Sequence, residues 1–146
     1  MKVIIVSGGF DPIHSGHIEH FKAAKKLGDI LVVGLNSDEW LTRKKGKPFM
    51  PLAERLTIIR ELKMVDLAVA FNDDDNSSRD LIEKILDLYR LDVVFANGGD
   101  RTKQNIPEVD QFGDDPRVSF KFGVGGDNKK NSSSWILEQW NSTTKT

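Results

Sequence analysis

Val3-Ile4-Ile5-Val6-Ser7-Gly8-Gly9-Phe10-Asp11-Pro12-Ile13-His14-Ser15-Gly16-His17 opens the chain with a β-branched run, a glycine turn and the start of a helix. Four consecutive apolar residues without polar alternation read as a strand covered on both faces. From Ser15 to Leu27 the period changes: Ile18, Phe21, Ala24 and Leu27 fall three apart, as on the inner stripe of a helix. The same alternation continues along the chain. Apolar runs recur at Ile30–Leu35, Leu67–Phe71, Val93–Ala96 and Val118–Phe122, and helical patterns lie between them at Pro51–Leu62 and Ser77–Tyr89, with a last one opening at Ser132-Ser133-Ser134. Strands alternating with helices give an α/β fold, a doubly wound five-stranded parallel sheet with helices on both faces. Thr42–Met50, polar and basic, and Gly98–Pro116 fit neither period and are expected to be loops.

The 146 residues amount to one domain, taken as 1–141, with a polar tail over 142–146. The net charge of −1 argues against a nucleic-acid or membrane-surface binder, since neither sign dominates. No apolar run approaches a signal-peptide core or a membrane span, and there is no cysteine, so a disulfide framework, a thiolate metal site and a cysteine nucleophile are excluded. A cytoplasmic location is the expectation.

Chemistry concentrates where the first strand gives way to the first helix. Free N–H groups and the positive end of the helix favour an anion there, glycines let a ligand approach the backbone, and His14 and His17 can both donate to phosphate oxygens. The helix end also lowers the basicity of a nearby imidazole. Zinc is an alternative for His14, His17 and His20 at steps of three, but Asp11 would have to complete the set. Glycines alone would mark only a tight turn; with an aspartate and two histidines they mark a phosphate site.

The segment reads G-x-F-D-x-x-H-x-G-H and resembles the signature of the cytidylyltransferase-like nucleotidyltransferases, whose fold is Rossmann-like. Lys26-Leu27-Gly28-Asp29, Asn36-Ser37-Asp38, Lys45-Gly46-Lys47, Pro51-Leu52-Ala53-Glu54-Arg55, Val65-Asp66 and Gly98-Gly99-Asp100 follow in the order seen in heptose-1-phosphate adenylyltransferase domains and, more loosely, in glycerol-3-phosphate cytidylyltransferases. The resemblance implies that an acceptor phosphate attacks the α-phosphorus of a nucleoside triphosphate and releases pyrophosphate. The nucleophile is already ionised, so the protein supplies alignment and charge neutralisation, with no general base. ATP with a sugar phosphate is the first expectation and CTP with a small phospho-alcohol such as glycerol 3-phosphate the second; a nucleotide-binding protein without turnover is the rival from another class.

By the same resemblance, His14, His17, Lys45 and Arg55 are the catalytic set. Gly8, Gly9, Phe10, Asp11, Gly16, Asp100, Lys129, Ser132, Ser133 and Ser134 line the nucleotide. Magnesium or another divalent cation is expected on the triphosphate, with its protein ligands unassigned. Asp127-Asn128-Lys129-Lys130 stands where the glycerol-phosphate enzymes have an arginine, and a lysine would act as a point charge without the guanidinium fork. Arg43-Lys44-Lys45-Gly46-Lys47 is expected to be a mobile basic loop, and Asp73-Asp74-Asp75 an exposed one. A homodimer is implied, with Trp135, Trp140 and Phe112 as candidate exposed anchors.

Overall fold

The computed structural model describes residues 1–98, 107–125 and 133–144. In chain order the elements are β1 (Lys2–Gly8), α1 (Ser15–Lys25), β2 (Ile30–Leu35), α2 (Asp38–Lys45), α3 (Leu52–Arg60), β3 (Leu67–Ala70), α4 (Arg79–Tyr89), β4 (Asp92–Ala96), α5 (Glu108–Phe112), β5 (Val118–Lys121) and α6 (Ser133–Thr144). The five strands form one parallel sheet in the order β3-β2-β1-β4-β5. The α/β expectation and all five strands hold.

Alternation along β1 explains the two layers. Ile4 and Val6 join Phe21 and Ala24 of α1 and Ile59 of α3 on one face, while Val3 and Ile5 join Leu81, Ile82 and Ile85 of α4 and Phe112 of α5 on the other. Residues 3–6 are completely buried, each side chain stabilising the fold by roughly 1.5–3 kcal/mol. A Cβ on Gly34 would lie 2.3 Å from Leu81 Cδ2, so glycine there lets α4 seat on β2. Because β1 connects outward to β2 while β4 lies on its other side, the strand order reverses between β1 and β4, and open α/β sheets take their ligands beyond the carboxyl ends of such a pair.

Several sequence expectations are corrected. Thr42–Lys45 belongs to α2, where the basic run expected in a mobile loop fills the last turn. The Ser37 side chain caps this helix, Asp38 and Glu39 start it, and Arg43, Lys44 and Lys45 face the negative end of the dipole before Gly46 ends it at φ 93°. The triple aspartate is not uniformly exposed, since Asp73 is 2% exposed and its carboxylate accepts from the Asn36 side chain, the Ser37 N–H and the Ser37 hydroxyl. Phe112 is 5% exposed and belongs to the core, so it is no surface anchor, whereas Trp135 and Trp140 are more than half exposed. The stretch expected as a loop after Gly98 contains α5, and α6 continues through Thr144 into the expected tail. No helix among the described residues is long and apolar enough to cross a membrane.

Candidate active site

The two histidines of the signature are fixed by the way α1 begins. His14 is the N-cap in extended conformation, and its Nδ1 accepts the Gly16 N–H at 3.0 Å. Three residues on, His17 Nδ1 accepts the His14 N–H at 3.2 Å, completing a capping box in which imidazoles take the places of the usual hydroxyl and carboxylate. An acceptor nitrogen carries no proton, so each neutral ring holds its hydrogen on Nε2. The rings stack with centroids 3.8 Å apart at the positive end of the helix, so the two imidazoles that carry these Nε2–H groups lie against each other.

Burial, then the neighbouring charges of His14 and His20, push the His17 imidazole down to about 3. His17 is therefore neutral across the physiological range, and a neutral ring can donate from Nε2 without being a cation. Phe10 holds it from behind: this ring is 6% exposed, meets His17 edge-on at 5.0 Å and Phe21 at 5.2 Å, and takes a positive φ of 52°. Glycine at position 8 follows from that fold-back, since a Cβ there would sit 3.0 Å from the Phe10 ring. At Gly9 the neighbour would be Leu41 Cδ2 at 2.9 Å. The protein's own side chains thus occupy the space beside both glycines.

Asp11 is 3% exposed, and both its carboxylate oxygens are used. Oδ2 accepts the Phe49 N–H and Oδ1 the Met50 N–H, both at 2.6 Å, and Lys45 Nζ lies 2.9 Å from Oδ2 and donates to the Asp11 carbonyl at 2.6 Å. Asp11 therefore ties the loop after α2 to the loop after β1 and holds Lys45 at the end of α2.

Arg55 departs furthest from its expected position. It is 1% exposed and lies beneath the site. Nε donates to Met50 O at 3.0 Å, Nη1 to Gly9 O at 2.9 Å and Asn36 O at 2.8 Å, and Nη2 to Asp38 Oδ1 at 2.7 Å. The guanidinium fork thereby joins the loops that follow β1 and β2 to the segment entering α3. Gly16 likewise spends its N–H on His14. Ser133 is closer to expectation: it opens α6 and donates its hydroxyl to Pro12 O at 2.7 Å, placing that helix N-terminus against the signature loop. Ser134 is exposed. Asp100, Lys129 and Ser132 lie outside the described residues.

The described residues contain no group of three or more His, Cys, Asp or Glu side chains able to hold a metal. With both Asp11 oxygens occupied, they form no dedicated cage for a divalent cation. The sequence does not reveal the supporting contacts of two of its aspartates: Asp38 accepts from Arg55 and from the Leu52 N–H at 3.0 Å, and Asp73 accepts from Asn36 and Ser37. His20, weighed in the sequence only as a zinc alternative, has its Nδ1 2.9 Å from Val124 O. The Ser37 cap was available as a helix-start signal; the partners of the aspartates and of His20, 14 to 104 residues away, were not.

The cytidylyltransferase-like family model matches residues 5–117. The chain is similar to the bifunctional protein HldE of Hahella chejuensis, at 36% identity over 107 residues, and to that of Sodalis glossinidius, at 37% over 133 residues. These matches take in 72% and 87% of this chain, which spans only 21% and 26% of the length of those relatives. Among solved structures, the lipopolysaccharide core biosynthesis protein from Thermoplasma volcanium superposes with a TM-score of 0.63 at 28% identity, covering 84% of this chain and 93% of the other. A structure from Vibrio parahaemolyticus named for nicotinate-nucleotide adenylyltransferase gives 0.64 at 17% identity, covering 97% and 88%, a likeness of fold alone.

Proposed function

The chain belongs to the cytidylyltransferase-like family of nucleotidyltransferases, and on that premise we propose that it transfers a nucleoside monophosphate to the phosphate of a phosphorylated sugar or polyol. An acceptor phosphate oxygen forms a bond to the α-phosphorus, the bond from that phosphorus to the bridging oxygen breaks, and pyrophosphate carries away the electron pair. No proton has to be removed from the nucleophile, so the site needs donors more than bases. The observation that carries this reading is the stacked pair of imidazoles whose Nδ1 atoms both accept in the α1 capping box, which puts the hydrogen of each neutral ring on Nε2.

On this reading each residue takes a role that its contacts support. His14 and His17 donate to phosphate oxygens as charge gathers there, and the N-terminus of α1 adds its dipole. Lys45 supplies positive charge from the end of α2 after exchanging Asp11 for a phosphate oxygen. Ser133 brings the head of α6 against the same loop. Arg55 and Asp11 are positioning residues that hold the loops from below. A divalent cation such as magnesium would supply further charge neutralisation on the triphosphate, and the described residues offer it no cage of three or more His, Cys, Asp or Glu side chains.

ATP with a sugar phosphate is the preferred pair, supported by the matches to bifunctional HldE proteins and by the order of motifs shared with heptose-1-phosphate adenylyltransferase domains. CTP with glycerol 3-phosphate is the second reading, from the same signature. We also infer a homodimer, supported by the exposed Trp135 and Trp140 on α6; sedimentation velocity tests it. For the function, thermal shifts with ATP, CTP, GTP and UTP in magnesium are the first experiment, since a ligand at about 100 times its Kd adds about 2.7 kcal/mol. A response to ATP is expected, a response to CTP alone would promote the second reading, and no response to any triphosphate would overturn the proposal.

A further inference from the structure

His20 is a partly buried titratable side chain that the chemistry above leaves unused, and its surroundings are specific. It lies on α1 one turn beyond His17. Its ring faces the exits of two strands: a Cβ on Gly98, just after β4, would be 3.1 Å from both Cε1 and Nδ1, and a Cβ on Gly125, after β5, would be 3.3 Å from the His20 Cα. The peptide between them is held at both ends, since Val124 N–H donates to Asn97 O at 2.9 Å and Val124 O lies 2.9 Å from His20 Nδ1. The ring thus lies at the carboxyl end of β4, next to the point between β1 and β4 where the strand order reverses and open α/β sheets take their ligands.

The tautomer follows from the partner. A carbonyl can only accept, so His20 Nδ1 carries the proton and the neutral ring bears its lone pair on Nε2. Burial holds the imidazole below its ordinary range, outweighing the Val124 hydrogen bond that favours the proton. Nε2 is bonded to the Cε1 that packs at the β4 exit, and it has no hydrogen-bond partner among the described residues. His14 and His17 offer donors, which suit phosphate; His20, three residues further along the same helix, offers an acceptor, which suits a polar N–H.

We propose that His20 is a specificity-determining residue of the nucleotide site, its Nε2 accepting from the exocyclic amine of an adenine or cytosine base and disfavouring bases that carry a carbonyl at that place. The inference rests on the nucleotidyltransferase reading and sharpens it, because the two preferred triphosphates, ATP and CTP, share this amine. The phosphates would lie at the head of α1 and the base one turn along, toward β4 and β5. One hydrogen bond replaced by a facing pair of acceptors corresponds to about tenfold in affinity.

Equilibrium binding tests this without an acceptor substrate. Dissociation constants of ATP, ITP, CTP and UTP with magnesium are measured by calorimetry on the unaltered chain and on His20→Asn and His20→Gln. ATP differs from ITP, and CTP from UTP, by exchange of the amine for a carbonyl. Asparagine keeps an N–H at the Nδ1 position for Val124 and removes the acceptor; glutamine can return an oxygen near the Nε2 position. The unaltered chain is expected to prefer the amine-bearing base about tenfold, His20→Asn to lower that ratio to within about twofold, and His20→Gln to restore part of it. An unaltered chain with no such preference, or a preference that His20→Asn leaves intact, would overturn the assignment of His20 alone. Failure of the unaltered chain to bind any triphosphate would overturn the functional reading itself.

Discussion

Replacing Arg55 separates support of the site from contact with its ligand. The guanidinium is buried and bonded to the carbonyls of Gly9, Asn36 and Met50 and to the Asp38 carboxylate. In Arg55→Met those carbonyls lose their donor and Asp38, whose side chain is 37% exposed, loses its counter-charge. Breaking a buried ion pair costs about 3–5 kcal/mol, and the partial exposure of Asp38 places this one toward the lower figure. Against a total stability of about 5–15 kcal/mol this is a large loss. Arg55→Lys keeps the charge, but one ammonium cannot span carbonyls that the planar fork joins, so about 2 kcal/mol is expected to go. Urea denaturation followed by tryptophan fluorescence, extrapolated to water, gives both numbers. If both variants stayed within about 0.5 kcal/mol of the unaltered chain while turnover collapsed, Arg55 would be a phosphate ligand, and its position beneath the site would be the wrong guide to its role.

Other expectations follow from single contacts. The folded-state value of about 3 for His17 against 6.5 unfolded means that the unfolded chain takes up this proton first as pH falls. The stability of His17 kept neutral is thus intact above 6.5 and lost progressively down to about 3. Compared with His17→Asn, the unaltered chain should lose about 2 kcal/mol between pH 7 and pH 5; an unchanged difference would refute the assigned shift. Asp11→Asn turns an NH2 toward one of the two backbone N–H groups it now accepts, so the Phe49 and Met50 amides should exchange with deuterium at least about tenfold faster, with about 2–4 kcal/mol lost from the fold. Unaltered exchange would mean the clamp is not formed. Gly34→Ala should cost about 1–3 kcal/mol in the same denaturation assay, because Leu81 must give way; a neutral result would show that α4 is seated loosely.

The sheet was legible because strands buried on both faces are continuous apolar runs and their connecting helices carry a three-to-four period. The signature was legible because its residues are adjacent in sequence. What escaped depends on contacts across the fold. Arg55 looks like a ligand until Gly9, 46 residues away, and Asn36 close around it. Asp73 looks solvated until Ser37 and Asn36 donate to it. The basic run misled for a different reason: its charge suggested a loop, although the same lysines and arginine suit the last turn of a helix whose cap, Ser37, lies just upstream. The motif marks His14 and His17 as phosphate donors, but the reason each neutral ring carries its hydrogen on Nε2, the mutual capping, appears only when α1 is built.

The pair of imidazole donors is tested most directly by His14→Asn. The amide oxygen of asparagine can accept the Gly16 N–H as the imidazole does and is among the best N-caps, so α1 keeps its start while the Nε2–H is removed. With pyrophosphate release followed in the presence of ATP, magnesium and a sugar phosphate, kcat should fall by about 100-fold or more while stability stays within about 1 kcal/mol. A variant that turns over within about threefold of the unaltered chain would contradict the assignment of the capped histidines as the donors to the transferring phosphate.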